Sequence, residues 1–415
     1  MSNILVIGGG AGGLIAANGL CKRLGDKMKK GKIHITLIEP SEFHEFQPGY
    51  IGIAFKGSAS DSARRRVSSL VHPGIELIQE SCSKIDVDNS LAITSTGRKV
   101  DFDYLIVATG CQPDYDQVKG LRKDNLDFHS SASSSAEIYR KIQTISSGTV
   151  LMGIASLPYK CPPSPNESAL LLDEYLEKNG KRSNISIKFV TPYLRTYSAE
   201  PINEVIEPLF KERNIEVIPG FTVDYVDPEK KTVFSLEGDE VQYDTLMMVP
   251  PHRTSDFLNG ESFVDDDGWI KTDKKDLHIS DHSNAFAIGD VTNIPISKAG
   301  VEAHLEAEVV VENIANNLEN INDKAIFTGR TQCSMETGYE KATFVIGTYS
   351  KPVLKLRPTH ERYMMKKMME AMYWEALKGN MEFVFKPYFG EDYMELHKGV
   401  SPISPVREMP GMAAR

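Results

Sequence analysis

No run in this chain approaches the roughly 18 to 20 consecutive apolar residues that a membrane-crossing helix needs, so any contact with a bilayer is expected to be peripheral. Low-complexity tracts and fixed-period repeats are missing too, which argues against fibrous, disordered and solenoid architectures. Basic charge is in deficit: 47 Lys and Arg face 57 Asp and Glu, leaving a net charge of -10. A nucleic-acid partner is not expected, because neutralising phosphates calls for a clustered basic surface. The one basic triplet, Arg64-Arg65-Arg66, reads as a solvated helix face. Cysteine is sparse, with five residues, and the first residues carry neither a basic leader nor an apolar stretch of signal-peptide type. An odd number of cysteines without an export signal points away from a disulfide framework and leaves room for one redox pair.

What is present is globular. The chain has 415 residues, 41% hydrophobic and 25% charged, enough for two or three domains and a buried site. Residues 3 to 39 form the clearest unit: the apolar strand NILVIG, the loop GGGAGG, the helical LIAANGLCKRL, then the strand KIHITLIE. Gly8, Gly10 and Gly13 fit G-x-G-x-x-G between strand and helix. The first permits a tight turn, the second lets backbone approach a pyrophosphate, and the third lets helix pack on sheet. The phosphates then meet the positive end of the helix dipole. Glu39 closes the second strand, where a carboxylate can accept hydrogen bonds from ribose hydroxyls.

The run VDFDYLIVATG resembles the strand returning to the cofactor in flavoproteins with two dinucleotide-binding domains, and SNAFAIGDV resembles their late strand. Ala108, Thr109, Gly110, Gly289 and Asp290 match. With the first loop they imply FAD, held by an α/β Rossmann-like domain split between 1–112 and 250–320. A second Rossmann-like domain is expected over 113–249. There the strand GTVLMGI leads not to glycines but to ASLPYKCPPSPNES. Proline donates no backbone N–H, and without glycines the chain cannot come close to a pyrophosphate. The next strand ends in Thr191-Pro192-Tyr193 instead of an acid. The repeat keeps its fold signature and lacks the features for NAD.

If a nicotinamide is not the reductant, the cysteine in the displaced loop is a natural electron port. Cys161 falls at a strand-to-helix junction, where a helix N-terminus stabilises a thiolate. Cys333, in the polar strand TGRTQCSMETGYEKATFV, is the candidate partner. Cys111, directly after the ATG turn, is a third candidate, whereas Cys21 and Cys82 read as packing residues.

At these residues the chain resembles the sulfide:quinone oxidoreductases, and it is also similar to the flavin subunit of flavocytochrome c sulfide dehydrogenase. The resemblance implies Cys161 and Cys333 as the catalytic pair, flanked by Pro158, Tyr159 and Glu167. It also implies Lys298 and Gly300, in SKAGVEAH, at the flavin pyrimidine edge, and Pro48, in EFHEFQPGYIG, as a flavin contact. Hydrosulfide would attack an oxidised cysteine bridge and the electrons would pass through FAD to a membrane quinone. Glu167, Glu302 and His304 are candidate proton carriers, each with a plain helix-surface role as the alternative. Many bacterial members carry a third cysteine where this chain has Ser130, and the flavocytochrome tether cysteine is missing from EFHEFQPGYIG, so the FAD is expected to be noncovalent.

Residues 321–415 form the expected α+β C-terminal region. Within it RYMMKKMMEAMYWEALKGNMEFVF, residues 362–385, sets Met, Tyr, Trp and Phe at helical spacing beside Arg362, Lys366 and Lys367. Such a basic amphipathic helix can lie on a membrane surface, with Phe383, Phe385, Tyr388 and Phe389 as candidate quinone contacts. The expected location is therefore the cytoplasmic face of a membrane, and a homo-oligomer is compatible. Competing readings are a cytochrome-coupled sulfide dehydrogenase, a type II NADH:quinone reductase, which needs the missing second glycine loop, and a flavin redox sensor without turnover.

Overall fold

The computed structural model describes residues 1–381, 384 and 390–402. From the N-terminus, β1 (Ser2–Ile7) runs into α1 (Ala11–Lys29) and β2 (Ile33–Ile38). There follow α2 (Tyr50–Lys56), β3 (Glu76–Ile78) and β4 (Tyr104–Val107). The chain then forms α3 (Ala132–Thr144), β5 (Gly148–Ile154), α4 (Ser164–Lys178) and β6 (Ile185–Thr191). Next come α5 (Glu200–Glu212), β7 (Ile215–Pro219) and β8 (Thr245–Val249). After β9 (Ala285–Ala287) and α6 (Gly300–Glu319) the chain builds β10 (Asp323–Phe327), β11 (Thr331–Gly338) and β12 (Lys341–Gly347). It closes with α7 (His360–Leu377) and β13 (Met394–Lys398).

Two parallel sheets share one strand order. The first runs β9-β4-β1-β2-β3 and the second β8-β5-β6-β7, so in each the opening strand is central and the next two lie to one side. Each sheet also receives a three-stranded antiparallel meander before its return strand, over 82–101 in the first and 223–242 in the second. The central strands are apolar on both faces, as strands covered by helices on each side must be: Ile4 to Ile7 are at most 2% exposed. Phe189 of β6 and Phe210 of α5 meet edge to face with centroids 5.3 Å apart, each burial worth about 2 kcal/mol.

The basic triplet is not helical. Arg64 to Arg66 form a short strand paired antiparallel with Phe43 to Glu45, because each guanidinium finds an aromatic ring or carboxylate across the pair. Arg64 and Arg66 lie over the Phe43 ring and Arg65 lies over Trp374.

The C-terminal helix closes back on the beginning of the chain. The Asn18 side-chain amide on α1 donates to Leu70 O at 2.8 Å and to Leu377 O at 2.7 Å, and Lys22 Nζ donates to Gly379 O at 2.6 Å. The aromatic and methionine residues of α7 therefore split between two environments. Met369, Met372, Tyr373 and Trp374 pack against the first core, whereas Met364, Met365 and Met368 are 52%, 40% and 45% exposed.

Candidate active site

A cavity of about 730 Å³ lies between the two sheets and α7. Its first wall is the glycine turn. Gly8 has φ +104°, and a Cβ there would stand 2.4 Å from Ala108 O. A Cβ on Gly13 would stand 1.8 Å from Gly8 O, so α1 can lie this close to β1 only with glycine at that position. Gly10 differs, with no neighbour nearer than 3.9 Å to its missing Cβ, which leaves open space at the turn. Gly10 caps α1 without any side-chain hydrogen bond, and Ala299 caps α6 the same way ahead of Gly300. Both helices thus offer free backbone N–H donors at the cavity.

Pro48, Ala108, Gly110, Gly289 and Asp290 line the same space. Thr109 Oγ1 is buried there without a partner among the described residues. Burial raises the Asp290 carboxyl, which accepts from the Cys111 thiol at 3.7 Å. Two uncapped helix starts, an open glycine turn, an orphaned hydroxyl and a waiting carboxyl are the donor and acceptor set that FAD requires of its site. Glu39 lines the cavity and has a structural part as well. Its carboxylate accepts from Gly9 N at 2.5 Å and Ser41 N at 2.7 Å, bracing the glycine turn. His44 adds a brace that the sequence did not reveal: one ring nitrogen faces Gly9 O at 2.9 Å and the other the Tyr373 hydroxyl at 2.7 Å.

The second wall carries the cysteines. Cys161 follows β5 in the loop before α4, with φ +57°, a left-handed conformation that costs a non-glycine residue of order 1–3 kcal/mol. Two backbone bonds hold it there, Cys161 N to Lys298 O at 2.7 Å and Ser164 N to Cys161 O at 3.0 Å. Cys333 sits on β11, and both thiols border the cavity and are unbridged. The expectation of a helix-stabilised Cys161 thiolate is overturned. Burial and the neighbouring Glu167 carboxylate push this thiol up to about 12, outweighing the Ser164 hydrogen bonds and the Lys366 charge, which act the other way. Burial, Glu302 and Cys161 likewise raise Cys333 well above the ordinary thiol value. Tyr197, unremarked in the sequence, is buried where both thiols act on its hydroxyl.

Glu302 stands against Cys333, whose Sγ donates to its carboxylate at 3.5 Å. Thr331 donates to the same group, yet burial holds it up at about 7. One turn on, Glu306 accepts from Gly289 N at 2.5 Å and is pushed by burial to about 8. His304 meets Glu308 at 3.1 Å and also lines the cavity. None of these is a surface helix residue, since Glu302 and Glu306 are each 1% exposed.

Glu167 is likewise buried. Its carboxylate accepts from Lys366 Nζ at 2.6 Å and Glu336 N at 2.9 Å. Lys366 also meets Glu336 at 3.3 Å, while Lys56 and Lys367 pair with Glu336. Burial acts against every charge in this cluster. The three lysines overcome it at Glu336, held down at about 2, while Glu167 is left raised and Lys366 is kept charged by its carboxylates. This corrects the reading of α7 as a helix with an outward basic face: Lys366 is 5% exposed and Lys367 pairs with Glu370 at 2.8 Å. The large apolar side chains exposed on α7 are Met364, Met365 and Met368.

Lys298 lines the cavity, but its ammonium donates to Asp290 O at 3.0 Å and Thr292 O at 2.7 Å and lies 3.7 Å from the Trp269 ring centroid. Ser130 donates to Asp127 at the cavity wall. The four candidate quinone contacts, Phe383, Phe385, Tyr388 and Phe389, lie outside the described residues. Local sequence spacing gave no sign of Lys366 or His44 as cavity-lining groups, since each reaches its partner across the fold.

Residues 2–150 match the family model "Pyridine nucleotide-disulphide oxidoreductase" and residues 136–250 the model "Sulfide dehydrogenase [flavocytochrome c] flavoprotein chain, central". A mitochondrial sulfide:quinone oxidoreductase of Mus musculus is 27% identical over 391 residues, covering 90% of this chain and 86% of its own. A sulfide-quinone reductase of Aquifex aeolicus is 26% identical over 440 residues, covering 99% and 98%. The solved structure of the Aquifex aeolicus sulfide:quinone oxidoreductase superposes with a TM-score of 0.85 at 23% identity, over 98% of this chain and 100% of that one. That likeness establishes the fold of two Rossmann-like units. An NDH2 of Plasmodium falciparum, solved with NADH, follows at a TM-score of 0.64 and 14% identity, over 93% of this chain.

Proposed function

We propose that this chain, a relative of the sulfide:quinone oxidoreductases, oxidises hydrosulfide at Cys161 and Cys333 with a quinone as the electron acceptor. The observation carrying this reading is that two cysteines 172 positions apart, one in the loop that replaces a second phosphate turn, border the same cavity as the glycine turn. Gly8, Gly10, Gly13, Ala108 to Gly110, Gly289, Asp290 and Gly300 would hold FAD, noncovalently. When bound, FAD supplies a two-electron acceptor that quinone can reoxidise.

The protein's own groups perform the sulfur chemistry. Hydrosulfide attacks one sulfur of an oxidised Cys161–Cys333 bridge; a new S–S bond forms there and the bond between the cysteines breaks, its electron pair leaving on the other sulfur. Cys333 is taken as the leaving sulfur, and Glu302, which touches it and titrates near neutrality, can take its proton when the pair passes its electrons on. Burial makes lone thiolates costly in this site, so the reduced pair is poised to take up a proton or pass its electrons on.

Among the described residues no helix is long and apolar enough to cross a membrane. Peripheral contact through the exposed methionines of α7 would bring the cavity to a quinone dissolved in the bilayer. The test is an anaerobic titration: sulfide should bleach the flavin band of the holoenzyme, a water-soluble quinone analogue should restore it, and NADH should do nothing. A flavin left yellow by sulfide would sink the reading. The match of residues 136–250 to a flavocytochrome c flavoprotein favours one second reading, a cytochrome acceptor. Replacing quinone by cytochrome c in the same titration separates the two.

A further inference from the structure

Three polar side chains behind the Cys161 loop are buried without complementary partners. Lys160 is 7% exposed and borders the cavity, and among the described residues no carboxylate lies within 4.0 Å of its ammonium. The other deeply buried lysine, Lys366, is tied to three carboxylates. A buried cation without a counter-ion is costly. Lys298 does not share its situation, since two backbone carbonyls satisfy that ammonium.

The other two groups are imidazoles, 4% and 3% exposed, with ring centroids 5.5 Å apart. Ser164 Oγ donates to Cys161 O at 2.8 Å, so its contact with His129 Nε2 at 2.7 Å requires the ring to donate there. His129 Nδ1 is then a bare acceptor, and it is buried with no partner among the described residues. His252 Nδ1 faces Pro250 O at 3.0 Å and must carry a proton, which leaves Nε2 bare, buried and equally unpartnered. Burial and the charge of Lys160 keep both rings neutral, His252 down at about 3. His252 N also donates to Pro158 O at 2.7 Å, fixing this group to the loop that carries Cys161.

Asp290, in the same cavity, feels the Lys160 charge without pairing directly with it, so this ammonium with no carboxylate in contact and the two bare acceptors suit a small anion that carries a proton. We propose that Lys160, His129 and His252 form the docking pocket in which hydrosulfide is held before it reaches the cysteine pair. This rests on the functional reading above. The negative sulfur would face the Lys160 ammonium and the S–H an imidazole nitrogen, one residue along the chain from Cys161. Chloride can meet the cation but offers no proton to either imidazole, whereas hydrosulfide meets the cation and gives its one proton to one of them.

The test uses the FAD-loaded enzyme, with the rate of flavin bleaching followed anaerobically against sulfide concentration in a stopped-flow instrument. In Lys160→Met the sulfide concentration for half-maximal rate should rise roughly tenfold to a hundredfold, the loss of one charge-assisted contact, while the limiting rate changes far less. Lys160→Arg should recover most of that loss. Azide, an anion without a proton, should shift the oxidised flavin spectrum of the wild type and compete with sulfide, and should do neither in Lys160→Met. Equal half-saturation and equal azide binding in the wild type and Lys160→Met would overturn the assignment. Should Lys160→Met fail to retain FAD, His252→Phe, which removes the acceptor and fills its space, decides: a raised half-saturating sulfide supports the pocket and an unchanged one refutes it. A wild-type flavin that sulfide does not bleach would count against the functional reading instead, and the azide titration would still report on the pocket.

Discussion

The two Rossmann-like units begin alike and diverge at one junction. β1 and β5 are both central in their sheets, both flanked by the next two strands in the same order. After β1, three residues suffice to enter α1, and the turn is built of glycine. After β5 the chain takes nine residues, 155–163, before α4 begins. The second strand still keeps a glycine, Gly153, because a Cβ there would stand 1.9 Å from Val190 O on β6. The scaffold's demand for close packing is thus met in both units. Only the space above the sheet differs: in the first it is left open for a diphosphate, and in the second it is filled by a loop that presents a thiol.

That contrast can be broken at its strongest point first. Gly13→Ala forces a Cβ into the Gly8 carbonyl, and the purified protein should carry no flavin, read from its visible absorbance. A yellow Gly13→Ala protein would mean that the turn does not require this approach. Cys161→Ser or Cys333→Ser should keep FAD and lose sulfide-dependent bleaching by more than roughly a thousandfold, which would separate the job of the second junction from that of the first.

A smaller effect is expected at Glu302. Its carboxyl is held near about 7, so the form able to accept a proton grows as pH rises through neutrality. Bleaching rates should rise across that range in the wild type. In Glu302→Gln they should be roughly a hundredfold lower and flat in pH; a mutant that retains the wild-type slope would assign the proton elsewhere. Smallest of all, Gly25→Ala in α1 meets nothing within 4 Å. It should stabilise the protein by about 0.5–1 kcal/mol in chemical denaturation without touching flavin content, which marks the glycine requirement as a property of the turn and not of the helix.

The parts of this molecule that are local in sequence were legible there. Strand GTVLMGI matches β5 residue for residue, and Gly8, Gly10 and Gly13 stand where the turn pattern puts them because each role depends on neighbours a few positions away. Glu302 was singled out as a proton carrier, but its contact with Cys333 spans 31 positions and could not be read from spacing. The pair Glu167 and Lys366 spans 199, so the lysine read as a membrane contact when its charge belonged inside. Cys161 was misjudged in charge and not in place: a helix start is visible in the sequence, whereas the desolvation that overrides it is a property of the assembled cavity.

The hydrogen bonds from Asn18 to Leu70 O and Leu377 O span 52 and 359 positions. During synthesis the first helix must therefore leave the ribosome with one of these acceptors still untranslated. The N-terminal nucleotide unit can collapse early, but its outer wall, with Tyr373 bracing His44, arrives only with α7. Such long-range closure is slow compared with local helix formation. It also has a protective order: the cavity in which thiols and flavin would meet is not completed until α7 has been made.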